Sequence, residues 1–215
     1  MLIAGTRKNS PCAPARIFLN SSMTLPDLTV ELVNTEAEKF DHENQLTEQA
    51  ITQLVHKFPN NTDPSHVLLK VVVVNDLYGA GLPRKHIEPV THHITALRID
   101  EALAAGKPSV VDDIINCAKL KEKYFSFASK FCSWHNPGAY PIYDRNVDEC
   151  LWHYNGRYHF TTYNRGNYSY VQFVGIVSAL RNFFHLNEVT FKQLDKALWH
   201  LGDQLLSEKN TKAGL

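Results

Sequence analysis

From residue 44 onward, apolar side chains return every three or four positions, in runs broken by Gly, Pro, Asn and Asp, and this period restricts the chain to packed helices. The clearest run covers 44–58, where Leu46, Ala50, Ile51, Leu54, Val55 and Phe58 share one helical face until Pro59, Asn60 and Asn61 stop it. Asp63, Pro64 and Ser65 read as the cap and first turn of a second helix over 66–78. Its stretch from Val67 to Val74 is apolar on every side apart from Lys70, and the valines alone would suit a buried strand. Its length, its cap and its end at Gly79 and Gly81 favour a helix. Further helices are expected over 84–96, 100–105, 109–117, 121–134, 144–154, 170–184 and 190–206. Asp144 can cap the fifth of these, and the last carries Phe191, Leu194, Leu198, Leu201 and Leu205 on one face. Residues 155–168 read as a polar aromatic loop or a small hairpin. The expected fold class is therefore all-α, with that loop or hairpin as its one irregular segment.

Residues 1–23 mix Ser, Pro, Asn and Ala without periodicity and read as a flexible leader, with Met23 as an alternative start. That leaves 24–215 as one helical domain or a tight pair of lobes. A content of 44% hydrophobic and 20% charged residues is that of a globular protein. Lys+Arg and Asp+Glu are both 22, so any nucleic-acid site has to be a local patch. None of the 11 histidines forms an HxxxH or HExxH pair, and Cys12, Cys117, Cys132 and Cys150 form no CxxC. Reduced thiols and no metal are expected. Without a Walker loop or a GxGxxG fingerprint, no nucleotide cofactor is expected either. No run approaches the ~18 apolar residues of a membrane span, so a cytoplasmic monomer is the expectation.

The densest set of reactive and aromatic side chains lies between Tyr124 and Tyr154. There Lys130 sits near the end of one expected helix and Asp144 at the start of the next, joined by a turn with Trp134 and His135. A lysine and a carboxylate on the lips of a helix pair make an acid/base or nucleophile/electrostatic pair; the plainer alternative is a salt bridge plus an N-cap. In NDLYGAGL, Asn75, Asp76 and Tyr78 end a helix before two glycines and can face a pocket, or simply form its C-cap. GRYHFTTYNRGNYSY interleaves Arg157 and Arg165 with aromatics, as a single-strand or flipped-base surface does.

The segment YPIYDRNVDECL resembles the Pro-Val-Asp-x-x-Val signature of the helix-hairpin-helix DNA glycosylases, with Asp144 at the catalytic aspartate and Pro141 and Val147 at its flanks. VLLKVVVVNDLYGAGL, FASKFCSWHNP and LDKALWHLG extend the resemblance to bacterial oxoguanine-glycosylase-like proteins over about 65–203. The family's Leu-Pro-Gly-(Val/Ile)-Gly hairpin turn is absent, since 121–126 holds no glycine, and Ser126 falls where bifunctional members keep their lysine, one turn before Lys130.

The resemblance implies an N-glycosylase that flips a damaged or modified base out of double-stranded DNA and leaves an abasic site. Asp144 would stabilise the sugar cation, and Lys130 would hold a phosphate or attack C1′, adding AP-lyase activity. Trp134, His135, Tyr143, Asn75, Asp76 and Tyr78 are the pocket-wall candidates, and Ser126, Arg145, Arg157 and Arg165 the DNA-contacting ones. The altered hairpin points to a specialised base, either oxidised guanine in DNA repair or a hypermodified pyrimidine of phage DNA in antiviral defence. The rivals are a catalytically inactive helical DNA-binding or adaptor protein, and an unrelated helical protein whose Asp144 and Lys130 point to solvent on different faces.

Overall fold

The computed structural model describes residues 24–117, 124–162, 164–166 and 168–213. The expected leader over 1–23 with Cys12, the segment around Lys121 and the loop residue Tyr163 lie outside these residues. Among the described residues the fold is all-α and contains no strand. Its helices are α1 (Val30–Lys57), α2 (Pro64–Leu77), α3 (Arg84–Leu97), α4 (Asp100–Ala104), α5 (Ser109–Ile115), α6 (Phe125–His135), α7 (Arg145–Tyr158), α8 (Tyr170–Phe183) and α9 (Phe191–Ala213). None of them is long and apolar enough to cross a membrane.

Helix α1 begins at Val30, not near residue 44, with Thr29 Oγ1 accepting from the Leu32 amide at 3.1 Å. The first half escapes a hydrophobic reading because Glu36 interrupts the stripe of Val33, Ala37 and Phe40. That carboxylate is buried against His200 of α9, 2.5 Å from its Nδ1, and 2.7 Å from Lys39 Nζ. The helix kinks at Asn44, whose side-chain amide donates to the Phe40 carbonyl at 2.9 Å and so competes with the backbone ladder. Helix α2 is a helix despite its valines: Asp63 Oδ1 accepts from the amides of Ser65 and His66, and Pro64 occupies the first turn. At the other end of the expected loop, α7 runs on to Tyr158 and stops at His159, which takes the left-handed conformation at φ 51°. The loop therefore starts at 159, and its described residues form no hairpin.

One apolar cluster runs from Leu25 to Leu205, centred on Phe127, Phe131, Tyr140, Tyr154, Tyr170 and Phe173. A smaller one joins Ile51, Val55 and Val74 beneath Tyr78 and Trp134. Helix α9 packs most extensively on α1 and α7. It comes so close to the start of α7 that a Cβ on Gly202 would lie 2.2 Å from the Asn146 carbonyl oxygen.

Candidate active site

Four consecutive residues between α6 and α7 are each tied to a different helix. The Tyr170 hydroxyl of α8 donates to the Pro141 carbonyl at 2.7 Å, and the Ile142 amide donates to Asp195 Oδ2 of α9 at 2.8 Å. The Tyr143 amide donates to Ser129 Oγ of α6 at 3.0 Å. Asp144 then caps α7, its Oδ1 accepting from the Asn146 amide at 3.0 Å. A carboxylate held this way has little freedom to leave its position, and the amides of the α7 N-terminus favour its negative charge.

The second oxygen of Asp144 meets Lys130 Nζ at 2.8 Å, and the same ammonium donates to the Tyr78 carbonyl at 3.0 Å. Lys130 is 3% exposed. The two residues therefore face each other across one site and do not point to solvent on separate faces. They line a cavity of about 400 Å³ together with Phe40 and Asn44 of α1, Leu77, Tyr78 and Gly79 at the end of α2, and Ile142, Asn146 and Val147 around Asp144. Helix α9 closes it with Lys192, Asp195, Lys196 and Trp199. The volume suits a small organic group, and aromatic walls with three lysines and two aspartates give it both a stacking surface and charged groups.

The α9 side chains escape a reading of the sequence aimed at its leucine stripe. Yet Lys192, Asp195, Lys196 and Trp199 are themselves spaced i, i+3, i+4, i+7, a second face of the same helix, and that spacing was the available signal. Lys192 Nζ lies 4.1 Å above the Trp134 ring and donates to the Tyr78 hydroxyl at 3.2 Å, which in turn donates to Glu48. Burial lowers the Lys192 pKa, with Glu48 opposing the shift and Lys196 adding to it. Burial first, then the Glu48 charge, holds the Tyr78 phenol far above its usual range, so it remains protonated. Lys196 pairs with Asp41 and, at 3.0 Å, with Glu48. Asp195 is 3% exposed; burial raises its pKa well above the carboxylate range, against the pull of the Ile142 amide and Lys192.

Of the residues singled out in the sequence, Asp144, Lys130 and Tyr78 meet at this cavity. Trp134 stands behind it, edge-on to Tyr78 at 5.4 Å. His135 packs on Phe131 at 5.1 Å, outside the cavity lining, and burial together with the neighbouring Lys70 charge lowers its pKa to about 3. Tyr143 faces a separate depression with Phe125 and Tyr168. Asn75 clamps the turn after α2, accepting from the Leu82 amide at 2.7 Å and donating to the Leu82 carbonyl at 3.1 Å, and with Asp76 it borders a third depression beside Arg84 and Lys85. Ser126 is half-buried in the first turn of α6, its carbonyl accepting from Ser129 Oγ at 3.0 Å, and Arg145 is exposed in the first turn of α7. Arg157 donates to the Leu25 carbonyl at 3.0 Å and pairs with Asp27 at 3.3 Å. Arg165 pairs with Asp148 at 2.7 Å and with Glu149, and lies over Trp152.

The HI_0787_N model, described as an N-terminal domain, matches residues 31–139. An uncharacterized protein of Haemophilus influenzae is 31% identical over 179 residues, 80% of this chain and 84% of the relative. The chain belongs to the HI_0787_N family. No solved structure matches it significantly. The matched family segment contains Tyr78 and Lys130, whereas Asp144 and the α9 residues lie beyond it, so the cavity is shared between the family's N-terminal domain and helices α7 and α9.

Proposed function

We propose that this HI_0787_N-family protein is a DNA N-glycosylase that flips a damaged or modified base from double-stranded DNA into the Asp144 cavity and leaves an abasic site. The observation that carries the reading is the pair of buried Lys130 and partly exposed Asp144 on the wall of a cavity of about 400 Å³ with aromatic sides. Cleavage of an N-glycosidic bond builds positive charge at the sugar, and a carboxylate already fixed at that point stabilises the cation without reorganising. Lys130 neutralises Asp144 in the free protein and is placed to engage a phosphate or C1′ once the nucleotide enters. Tyr78, Phe40 and Trp199 offer surfaces on which an extruded base can stack.

The test is single-turnover cleavage of duplexes carrying oxidised guanine or glucosylated hydroxymethylcytosine, scored as alkali-labile abasic sites. Asp144→Asn is expected to lower the rate at least 10²-fold, a typical loss for one well-placed charge-stabilising group. Asn caps helices about as well as Asp but removes the counter-charge of Lys130, so the melting temperature of the variant is measured alongside its rate and activity is assayed well below it. Strand breaks without alkali, trapped by borohydride in wild type but not in Lys130→Gln, would make Lys130 the nucleophile of a lyase step. Binding to these duplexes without abasic sites would replace the reading with that of an inactive DNA-binding protein.

A further inference from the structure

The cavity contains a second carboxyl group, more deeply buried than that of Asp144. Asp144 lies against an ammonium group and a helix N-terminus. Asp195 is 3% exposed, uses one oxygen to hold the Ile142 amide at 2.8 Å, and has no hydrogen-bond partner for Oδ1 among the described residues. An oxygen in that position is a costly arrangement for a structural group, because a buried carboxylate with an unsatisfied oxygen loses much of its hydration without replacement.

On the glycosylase reading, we propose that Asp195 is the general acid of the reaction, giving the proton of its carboxyl group to the departing base. As the C1′–N bond breaks, its electron pair goes to the base nitrogen, and a ring nitrogen or carbonyl oxygen of the base takes the Asp195 proton. The base leaves neutral and Asp195 becomes a carboxylate. Water then adds to C1′ and gives one proton to Asp144. Release of that proton to solvent and uptake of another by Asp195 restore the starting state, so the sum is nucleotide plus water giving abasic site plus free base.

Two carboxyl groups in one site can divide into acid and base when one is buried with an unpartnered oxygen and the other is fixed against an ammonium group. The groups facing Asp195 are Lys192 on its own helix, Asp144 from α7, Tyr78 from the end of α2 and Tyr170 from α8. Burial is the largest influence and favours the protonated acid; Asp144 adds to it, while Lys192 and the Ile142 amide oppose it. The aromatic pair Tyr78 and Trp134 carries Lys192 beside this acid, which places a cation where it can stabilise Asp195 once the proton has left.

The experiment is Asp195→Asn, which retains an acceptor for the Ile142 amide, assayed against wild type from pH 5 to 10 on whichever duplex of the panel wild type cleaves. A loss of roughly 10²- to 10⁴-fold in the single-turnover rate, with the alkaline fall of the wild-type profile gone, is expected of a lost general acid. In parallel, the ¹³Cγ shift of labelled Asp195 should show a protonated carboxyl at pH 7, a readout independent of turnover. Wild-type cleavage combined with an unchanged rate and profile in Asp195→Asn, or an ionised Asp195 at pH 7, would overturn the assignment while leaving the glycosylase standing. If wild type cleaves no DNA on the panel, the glycosylase reading fails and the assignment falls with it.

Discussion

Lys70 and His135 are neighbours outside the cavity lining, and opposite demands are placed on them. Lys70 is fully buried and donates to the carbonyls of Phe58 and Asn60 at 2.9 and 3.0 Å and to Asn61 Oδ1 at 2.7 Å, so its ammonium satisfies the exposed C-terminus of α1. Burial lowers its pKa to about 8, with Asp100 opposing, and it remains charged at neutral pH. His135 is held neutral by the same burial and by that charge. Its ordinary pKa of about 6.5 in the unfolded chain lies above the folded value of about 3, so the unfolded state binds the extra proton first. The stabilisation is full above pH ~6.5 and is lost as pH falls toward 3. His135→Phe should therefore flatten the decline of melting temperature between pH 7 and pH 4 relative to wild type, measured by circular dichroism. Its Nε2 has no protein partner among the described residues, so the substitution strands no donor. Capping aspartates such as Asp63 and Asp144 can be recognised in the sequence because a cap is a local device. The role of Lys70, in the middle of VLLKVVVV, depends on carbonyls brought to it by the end of another helix.

At the scale of elements, α9 sets the position of the α7 N-terminus. Gly202 lets the two helices approach until the Asn146 carbonyl occupies the space where any other side chain would begin. Gly202→Ala should cost about 1–3 kcal/mol of stability, since backbone and not a flexible side chain has to move. It should also reduce cleavage more than binding by shifting Asp144, which the paired measurements of urea unfolding and single-turnover rate would show. Helix boundaries over 84–97 and 100–104 follow the sequence closely because Pro, Gly and short polar breaks punctuate them. The first half of α1 does not, because Glu36 is an acid on a core-facing stripe, paired with Lys39 one turn on and with His200, more than a hundred residues away.

At the scale of the whole molecule, the apolar cluster draws on residues from Leu25 to Leu205, so the segment matched by the family's N-terminal domain shares its core with α7, α8 and α9. A chain ending at residue 139 is expected to lack a cooperative thermal transition, whereas 24–215 should melt in one step by both circular dichroism and tryptophan fluorescence. The net charge of zero is matched locally, where Arg157, Arg165 and Lys196 each pair with nearby acids. By itself the sequence determined the helical class, most helix boundaries and the cap at Asp144, since periodicity, caps and breakers act within a few residues; it offered Lys130 as a partner of Asp144, and the packing of α6 against the start of α7 decided it. Only the tertiary structure decided that Tyr78 joins that pair while His135 and Tyr143 do not, that Arg157 and Arg165 are bound to acids, and that α9 brings Asp195 and Lys192 to the same cavity. A site assembled from five helices depends on which faces the core leaves for it, and no local signal in the chain carries that information.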